Sequence, residues 1–402
     1  MQPDREAPVR IDTATTAERV SFVAQSGSRT PAARTGLRPL AMRSVACDEW
    51  DRLIAGFGSV CQEQTYAFAS VRWPKLSYEP WLFVRDGEAV GGALIMLARL
   101  PLGLGSFALC KWGPMLRDRN AVDSGPLHQA MIEALIRQYA VERRMVLSVL
   151  PRRYAGSDRD EFDFLQRRGF SAGANVPFPD RYIVDLEVPE DGHSKRLHSK
   201  WRYHLNKAEK AGLSFEEADG AQLPEFAALY EAMTERKKFP DYSAYETLPS
   251  LFAAPAEAIR PRIFFVRHQG RIIAGAVIFT AGDMAVYLYG ATSDEALPLR
   301  AGYFLHWRII RWLKENSQAS CYDLGGCDGF LGLHQFKKGM VGEAGWIEPL
   351  DPPMHYAAGR LRLAVGTGVF ALRDFLLGAR HRMLMRWSDR SAPNLTPPAR
   401  ER

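Results

Sequence analysis

From Leu40 onward the apolar positions fall into two rhythms, one of alternate residues and one at helical spacing, and the rhythms take turns along the chain. The segment WLFVRDGEAVGGALIMLARL predicts two strands joined at Asp86-Gly87, because an Asp-Gly pair readily supplies the positive φ of a tight hairpin turn. SGPLHQAMIEALIRQYAVERRM then carries apolar residues at helical spacing, VLSVL is a β-branched strand, and DEFDFLQRRGF is a short helix that stops at Gly169. The second half repeats that plan. RIFFVRHQGRIIAGAVIFTAGDMAVYLYGAT predicts strands turning at Gln269-Gly270 and Gly282-Asp283, LRAGYFLHWRIIRWLKENSQ a helix, and ASCYDLGG a further strand.

Two copies of hairpin, helix and strand predict a tandem α/β (α+β) architecture. The expected division is a flexible tail over 1–36, a first domain over 37–190 completed by about 345–388, a second domain over 191–344, and a flexible tail over 389–402. One helix from Lys195 to Gly212 is expected to join the halves. Its projection puts Leu197, Trp201, Leu205 and Ala208 on one face and Arg196, Lys200, Tyr203, Lys207 and Lys210 on the other. A nearly pure cationic stripe with an aromatic among the charges is either a solvated face or a track for phosphates.

The length of 402 residues suits two domains, and a net charge of +6 allows a polyanionic partner without demanding one. The cysteines, Cys47, Cys61, Cys110, Cys321 and Cys327, form no CxxC pair and sit at no metal-ligand spacing, so reduced thiols are expected and no metal site is indicated. The amino-terminal residues lack the apolar core of a signal peptide, and no apolar run is long enough to span a bilayer. GxSxG and related nucleophile motifs are absent, and His334 stands beside the Phe-Lys pair without one.

An antiparallel hairpin feeding a helix and then a central strand is the plan of the GNAT acyltransferase fold. In that fold a glycine-rich turn before the helix cradles the pyrophosphate of coenzyme A. Here the corresponding PLRAGYFLHW keeps only Gly302 and adds Tyr303. With the segments around it, the chain resembles the FemABX (FemAB/FemX-like) family of tandem GNAT-like aminoacyltransferases. The similarity lies in VYLYGATSDEALPLRAGYFLHWRIIRWLKENSQASCYDLGG followed by GLHQFKKGMVGE, in SKWRYHLNKAEKAGL, and in QTYAFASVR with KWGPML, together reaching from about Gln64 to Gly342. No long heptad hairpin interrupts the second half, so a compact member with no coiled-coil arm is expected.

The resemblance implies transfer of an amino acid from aminoacyl-tRNA to an amine of a peptidoglycan precursor or related cell-envelope acceptor, with no resident cofactor. It makes Lys337, with Phe336 beside it, the first candidate for catalysis, as a cation where the tetrahedral oxyanion develops. Asp323 is a candidate base, with Asp328 as another. Tyr303, Tyr322, Gly325 and Gly326 are expected to bind substrate, Arg72 to take the place of a phosphate-binding lysine, and Arg196, Lys200, Tyr203, Lys207 and Lys210 to bind tRNA or precursor phosphates. One departure is that FPDYSAYETL offers Tyr242 or Ser243 where relatives carry an arginine. An alternative is acyl-CoA transfer to an amine of a polysaccharide or small molecule; a third is a binding protein on a decayed fold. The tail AAGRLRLAVGTGVFALRDFLLGARHRMLMRW reads either as a docking helix or as a basic apolar segment for peripheral contact with the inner face of the membrane, around a cytoplasmic body.

Overall fold

The computed structural model describes residues 39–99, 105–152, 159–174, 179–237, 244–327, 329–359, 363 and 368. Strands run as β1 (Ala41–Ser44), β2 (Ser77–Arg85), β3 (Glu88–Arg99), β4 (Ser106–Lys111), β5 (Met115–Leu116), β6 (Val146–Leu150), β7 (Ser171–Ala172), β8 (Asp180–Asp185), β9 (Leu213–Ala218), β10 (Arg262–His268), β11 (Arg271–Phe279), β12 (Met284–Thr292), β13 (Cys321–Asp323), β14 (Trp346–Pro349) and β15 (Met354–Tyr356). The helices are α1 (Cys47–Ile54), α2 (Tyr66–Arg72), α3 (Ser124–Leu135), α4 (Asp160–Arg167), α5 (Glu190–Arg196), α6 (Ser199–Glu209), α7 (Leu223–Lys237), α8 (Leu248–Phe252), α9 (Ala301–Asn316) and α10 (Leu331–Val341).

Two sheets carry the same plan. The first is ordered β1-β2-β3-β4-β6-β15-β7, with β5 added on β3, and the second β9-β10-β11-β12-β13-β8-β14. In each, the one parallel pair falls between the fourth and fifth strands, β4 with β6 and β12 with β13. The tandem GNAT-like architecture is therefore visible in strand order and direction, not in helix count. The sixth strand of each sheet is exchanged: β15 lies beyond the second sheet's strands in sequence yet pairs with β6, and β8 precedes them yet pairs with β13. The hairpin turns form where the sequence placed them, with Asp86 and Gly87 at φ 53° and 85° and Gln269 and Gly270 at 48° and 79°.

On one face of the second sheet, α6, α9 and α10 bury Trp201, Leu205, Phe304, Ile310 and Met340 against Tyr182, Val184 and Tyr322. The opposite face meets the first half. There Trp50, Phe57 and Leu82 share a cluster with Phe279, Ala281 and Val286. The Gly282-Asp283 turn plugs into the loop before Gln62: the Asp283 amide donates to Gly58 O at 2.7 Å, and a Cβ on Gly282 would stand 2.7 Å from the Gly58 and Val60 carbonyls. Arg152 bridges the same seam, donating to Ser59 O at 3.2 Å, Val60 O at 3.1 Å and Met284 O at 3.5 Å.

One element differs from expectation. The helix predicted over Lys195–Gly212 is two helices, because Leu197 and His198 take ψ of 144° and 139° and break it between α5 and α6. The break lets Leu197 join the core, and the His198 amide donates to Gly339 O of α10 at 3.1 Å. Arg196 thus belongs to α5, apart from the rest of the stripe. Trp201, Leu205 and Ala208 are buried while Lys200, Tyr203, Lys207 and Lys210 are exposed, as the projection requires. The tail segments, Tyr242, Ser243 and Asp328 lie outside the described residues.

Candidate active site

Lys337 lies on a helix, not in the turn its motif suggested, and it is 5% exposed. Gly325, at φ 72°, reverses the chain after β13 in a conformation that a side chain would strain. That reversal aims the carbonyls of Leu324 and Gly326 at the Lys337 ammonium, which donates to them at 2.6 Å and 2.5 Å. Both acceptors are neutral, so their partial charges, and no carboxylate, meet the buried cation in these two bonds. The ammonium also stands 5.8 Å from the centroid of the Tyr287 ring.

Aromatic rings build the wall around it. Phe336, half-buried, meets Tyr303 at 5.0 Å, Trp201 at 6.1 Å and His306 at 5.6 Å. Tyr303, in the first turn of α9, continues outward to His204 at 4.9 Å, whose ring reaches the exposed Tyr203 at 5.4 Å. Inward, His306 lies 4.9 Å from Tyr287, and its Nδ1 is 3.2 Å from the hydroxyl of Tyr322. Burial, with the Lys337 ammonium second, pushes His306 down to about 3, so the imidazole is neutral at physiological pH. Burial also raises the Tyr287 and Tyr322 phenols, which stay protonated.

Tyr287 joins this wall just before a bulge in β12. The β11 register shifts between Val277 and Ile278, which pair with Tyr289 and Tyr287, so Leu288 is the extra residue. Tyr287 faces α9, while Tyr289 packs with Phe226 and Tyr230 on the other side. Gly290 makes room: a Cβ there would fall 1.7 Å from the Tyr287 hydroxyl oxygen.

The structure divides the predicted site residues. Lys337, Phe336, Tyr303 and Tyr322 converge, with Gly325 and Gly326 forming the turn over Lys337. Asp323 does not join them, because successive residues of a strand point to opposite faces. It faces the first half, where the Arg181 guanidinium grips it through Nε at 3.1 Å and 3.2 Å and through Nη2, and where it accepts the Gly325 amide at 2.8 Å. This carboxylate fixes the turn and is not presented to Lys337 as a base. Beside it a cavity of about 20 Å³, room for one water, is lined by Trp112, Arg152, Arg181 and Glu348. Arg72 lies elsewhere on the seam between the halves, half-buried and paired with Glu246 at 2.8 Å.

Sequence reasoning missed His306 and Tyr287. Spacing offered a signal for the first, since His306 stands three residues after Tyr303 and so on the same side of α9. For Tyr287 alternation with Ala285 gives the facing, and the bulge that follows turns Tyr289 to the other side. Among the described residues no cluster could hold a metal ion.

The fold has known counterparts. Residues 195–338 match the family described as acetyltransferase (GNAT) domain. The lipid II:glycine glycyltransferase of Staphylococcus aureus is 31% identical over 77 residues, 17% of this chain and 18% of that protein, so the match spans less than a fifth of the relative's length. Among solved structures, FemX superposes with a TM-score of 0.64 at 15% identity, over 79% of this chain and 97% of that one. L-PGS from Bacillus licheniformis gives 0.50 at 13%, over 80% and 96%. The chain is thus similar in fold to FemX, with two tandem GNAT-like domains.

Proposed function

We propose that the chain is an aminoacyltransferase that moves an amino acid from aminoacyl-tRNA to an amine of a peptidoglycan precursor or related cell-envelope acceptor. The observation that carries this reading is the buried Lys337 ammonium, held over a glycine turn by neutral carbonyls and walled by Phe336, Tyr303 and Tyr287. Attack by a neutral amine on the ester carbonyl forms a C–N bond and a tetrahedral oxyanion. Collapse breaks the C–O bond to the ribose, and the proton lost by the amine ends on the departing hydroxyl. Such a donor arrives activated, so the protein need only position both partners and stabilise the oxyanion. Lys337 supplies the charge for it. The likeness to FemX and to a lipid II:glycine glycyltransferase supports the acceptor class. The exposed Lys200, Tyr203, Lys207 and Lys210 on α6 suit the phosphates of a tRNA acceptor end, with Arg196 nearby, and contacts of that kind weaken as salt rises.

Acyl-CoA transfer is the second reading, favoured by the match to the acetyltransferase family. Against it, α9 starts at Arg300 with φ 58°, and its turn keeps one glycine, Gly302, where a pyrophosphate cradle is glycine-rich. The deciding experiment follows radiolabel from a pool of charged tRNA, and separately from acetyl-CoA, into a mixture of cell-wall precursors, using wild type and Lys337→Met. Label arriving from tRNA and falling at least about 100-fold in the variant is expected. Label from acetyl-CoA alone, or an unaffected variant, overturns the assignment. The variant leaves two buried carbonyls without a partner and costs about 1–3 kcal/mol, so its melting curve is recorded alongside.

A further inference from the structure

Along α10 the residues Leu333, Phe336, Lys337 and Met340 follow one another at the spacing of a single helix side. Their burial falls steadily toward the amino terminus: Met340 and Lys337 are buried, Phe336 is half-buried, and Leu333 is 36% exposed. Two more exposed apolar side chains stand at the amino-terminal end of the helix, Phe330 at 37% and Leu331 at 69%, the latter on a different side from Lys337, and with Leu333 they make an apolar tip. Gly329, at φ 81°, and Gly332, around whose missing Cβ there is open space, leave the backbone of the tip thin. Burying these side chains in a partner is favourable, and leaving them in water is not.

Charge identifies the partner. The helix α10 contains no acid, and Lys338, seven residues after Leu331, is exposed on the same side as Leu331, about 10 Å along the axis. Lys338 adjoins a cationic junction: the His198 amide donates to Gly339 O, the Glu343 amide donates to Arg196 O, and Lys200 and Arg196 flank these contacts with exposed side chains. An apolar tip backed about 10 Å along the helix axis by Lys338, with Lys200 and Arg196 on the segments that contact α10, matches the depth profile of a bilayer with anionic headgroups, in which apolar side chains enter about 5–10 Å and cations stay at the phosphates. A nucleic acid would satisfy the cations but offers no aliphatic layer for Leu331 and Leu333.

We infer that the Phe330–Leu333 tip is a membrane-docking element that seats the mouth of the Lys337 site on an anionic lipid surface. It is distinct from the basic apolar tail segment, and it stands whether the acyl donor is tRNA or coenzyme A. The test is flotation of the full chain with vesicles of phosphatidylcholine containing phosphatidylglycerol, and with phosphatidylcholine alone. Wild type is expected to float with the anionic vesicles. The double variant Phe330→Ser/Leu331→Ser should bind at least roughly ten-fold more weakly with an unchanged melting temperature, since both side chains are already exposed. The charge-reversed Lys200→Glu/Lys338→Glu should lose the preference for anionic over neutral vesicles. Absence of flotation by wild type overturns the inference, and so does a double variant that floats as wild type does, which would move membrane contact to another part of the chain. A double variant that floats normally but no longer retains charged tRNA on a filter would assign the tip to the nucleic acid instead.

Discussion

At the scale of single residues, the site rests on two buried groups with opposite needs. The Lys337 amine donates to the carbonyls of Leu324 and Gly326, and His306, one aromatic ring away, stays neutral because it is buried beside that lysine. The histidine makes stability sensitive to acid. Its folded value of about 3 lies below the ordinary 6.5, so as pH falls below 6.5 the unfolded chain takes up the proton first and folding loses stability until about pH 3. The slope is about 1.4 kcal/mol per pH unit for this one group. His193 and His355, each pushed by burial to about 4, act in the same direction. Urea midpoints measured from pH 7 to pH 5 should therefore fall, and His306→Gln should fall less steeply. A variant that tracks wild type across that window would mean that His306 is protonated in the folded protein. The sequence named Lys337 through its motif but hid its burial, because a lysine after an aromatic looks the same on a solvated turn as in a core.

Among the elements, β12 and β13 decide which side chains meet. Period-two alternation in Cys321-Tyr322-Asp323 sends Tyr322 to His306 and Asp323 to Arg181, and that alternation is legible in the sequence. The bulge at Leu288 was not legible, since an inserted residue changes facing without changing composition. The break at Leu197–His198 was equally silent: no proline or glycine marks it, and burial of Leu197 together with the bond from His198 to α10 imposes it. The turn glycines, by contrast, declared the hairpins outright. The bulge yields a further prediction. Gly290→Ala would put a methyl group inside the Tyr287 hydroxyl, so the ring must leave its place against His306 and Lys337. Overpacking of this kind costs typically about 1–3 kcal/mol. Transfer activity should fall with it, and the companion variant Gly290→Ala/Tyr287→Leu, which removes the ring whose hydroxyl oxygen and Cζ stand 1.7 Å and 2.7 Å from the added methyl, should cost less in thermal melts than the two single substitutions together. Strict additivity would show that the clash is with something else.

At the scale of the whole molecule, tandem architecture was legible because the hydrophobic rhythm repeats, but the exchange of sixth strands was only half so: the expected completion of the first domain by about 345–388 contains β15, whereas β8, short and without a mark of the sheet it joins, falls inside the expected 37–190. A fragment cut at 191–344 lacks β8 and exposes the open edge of β13. A fragment over 179–350 keeps β8 and β14. Circular dichroism and gel filtration should show the longer fragment far better folded, and equal behaviour of the two would deny β8 any part in stability. The exchange also bears on how the chain is made. During synthesis the second sheet has its first-half strand waiting from the start, whereas the first sheet stays unfinished until Met354–Tyr356 have left the ribosome. The half that emerges first is thus the half completed last, and a ribosome that stalls between β13 and β15 leaves one hand of the clasp closed and the other open.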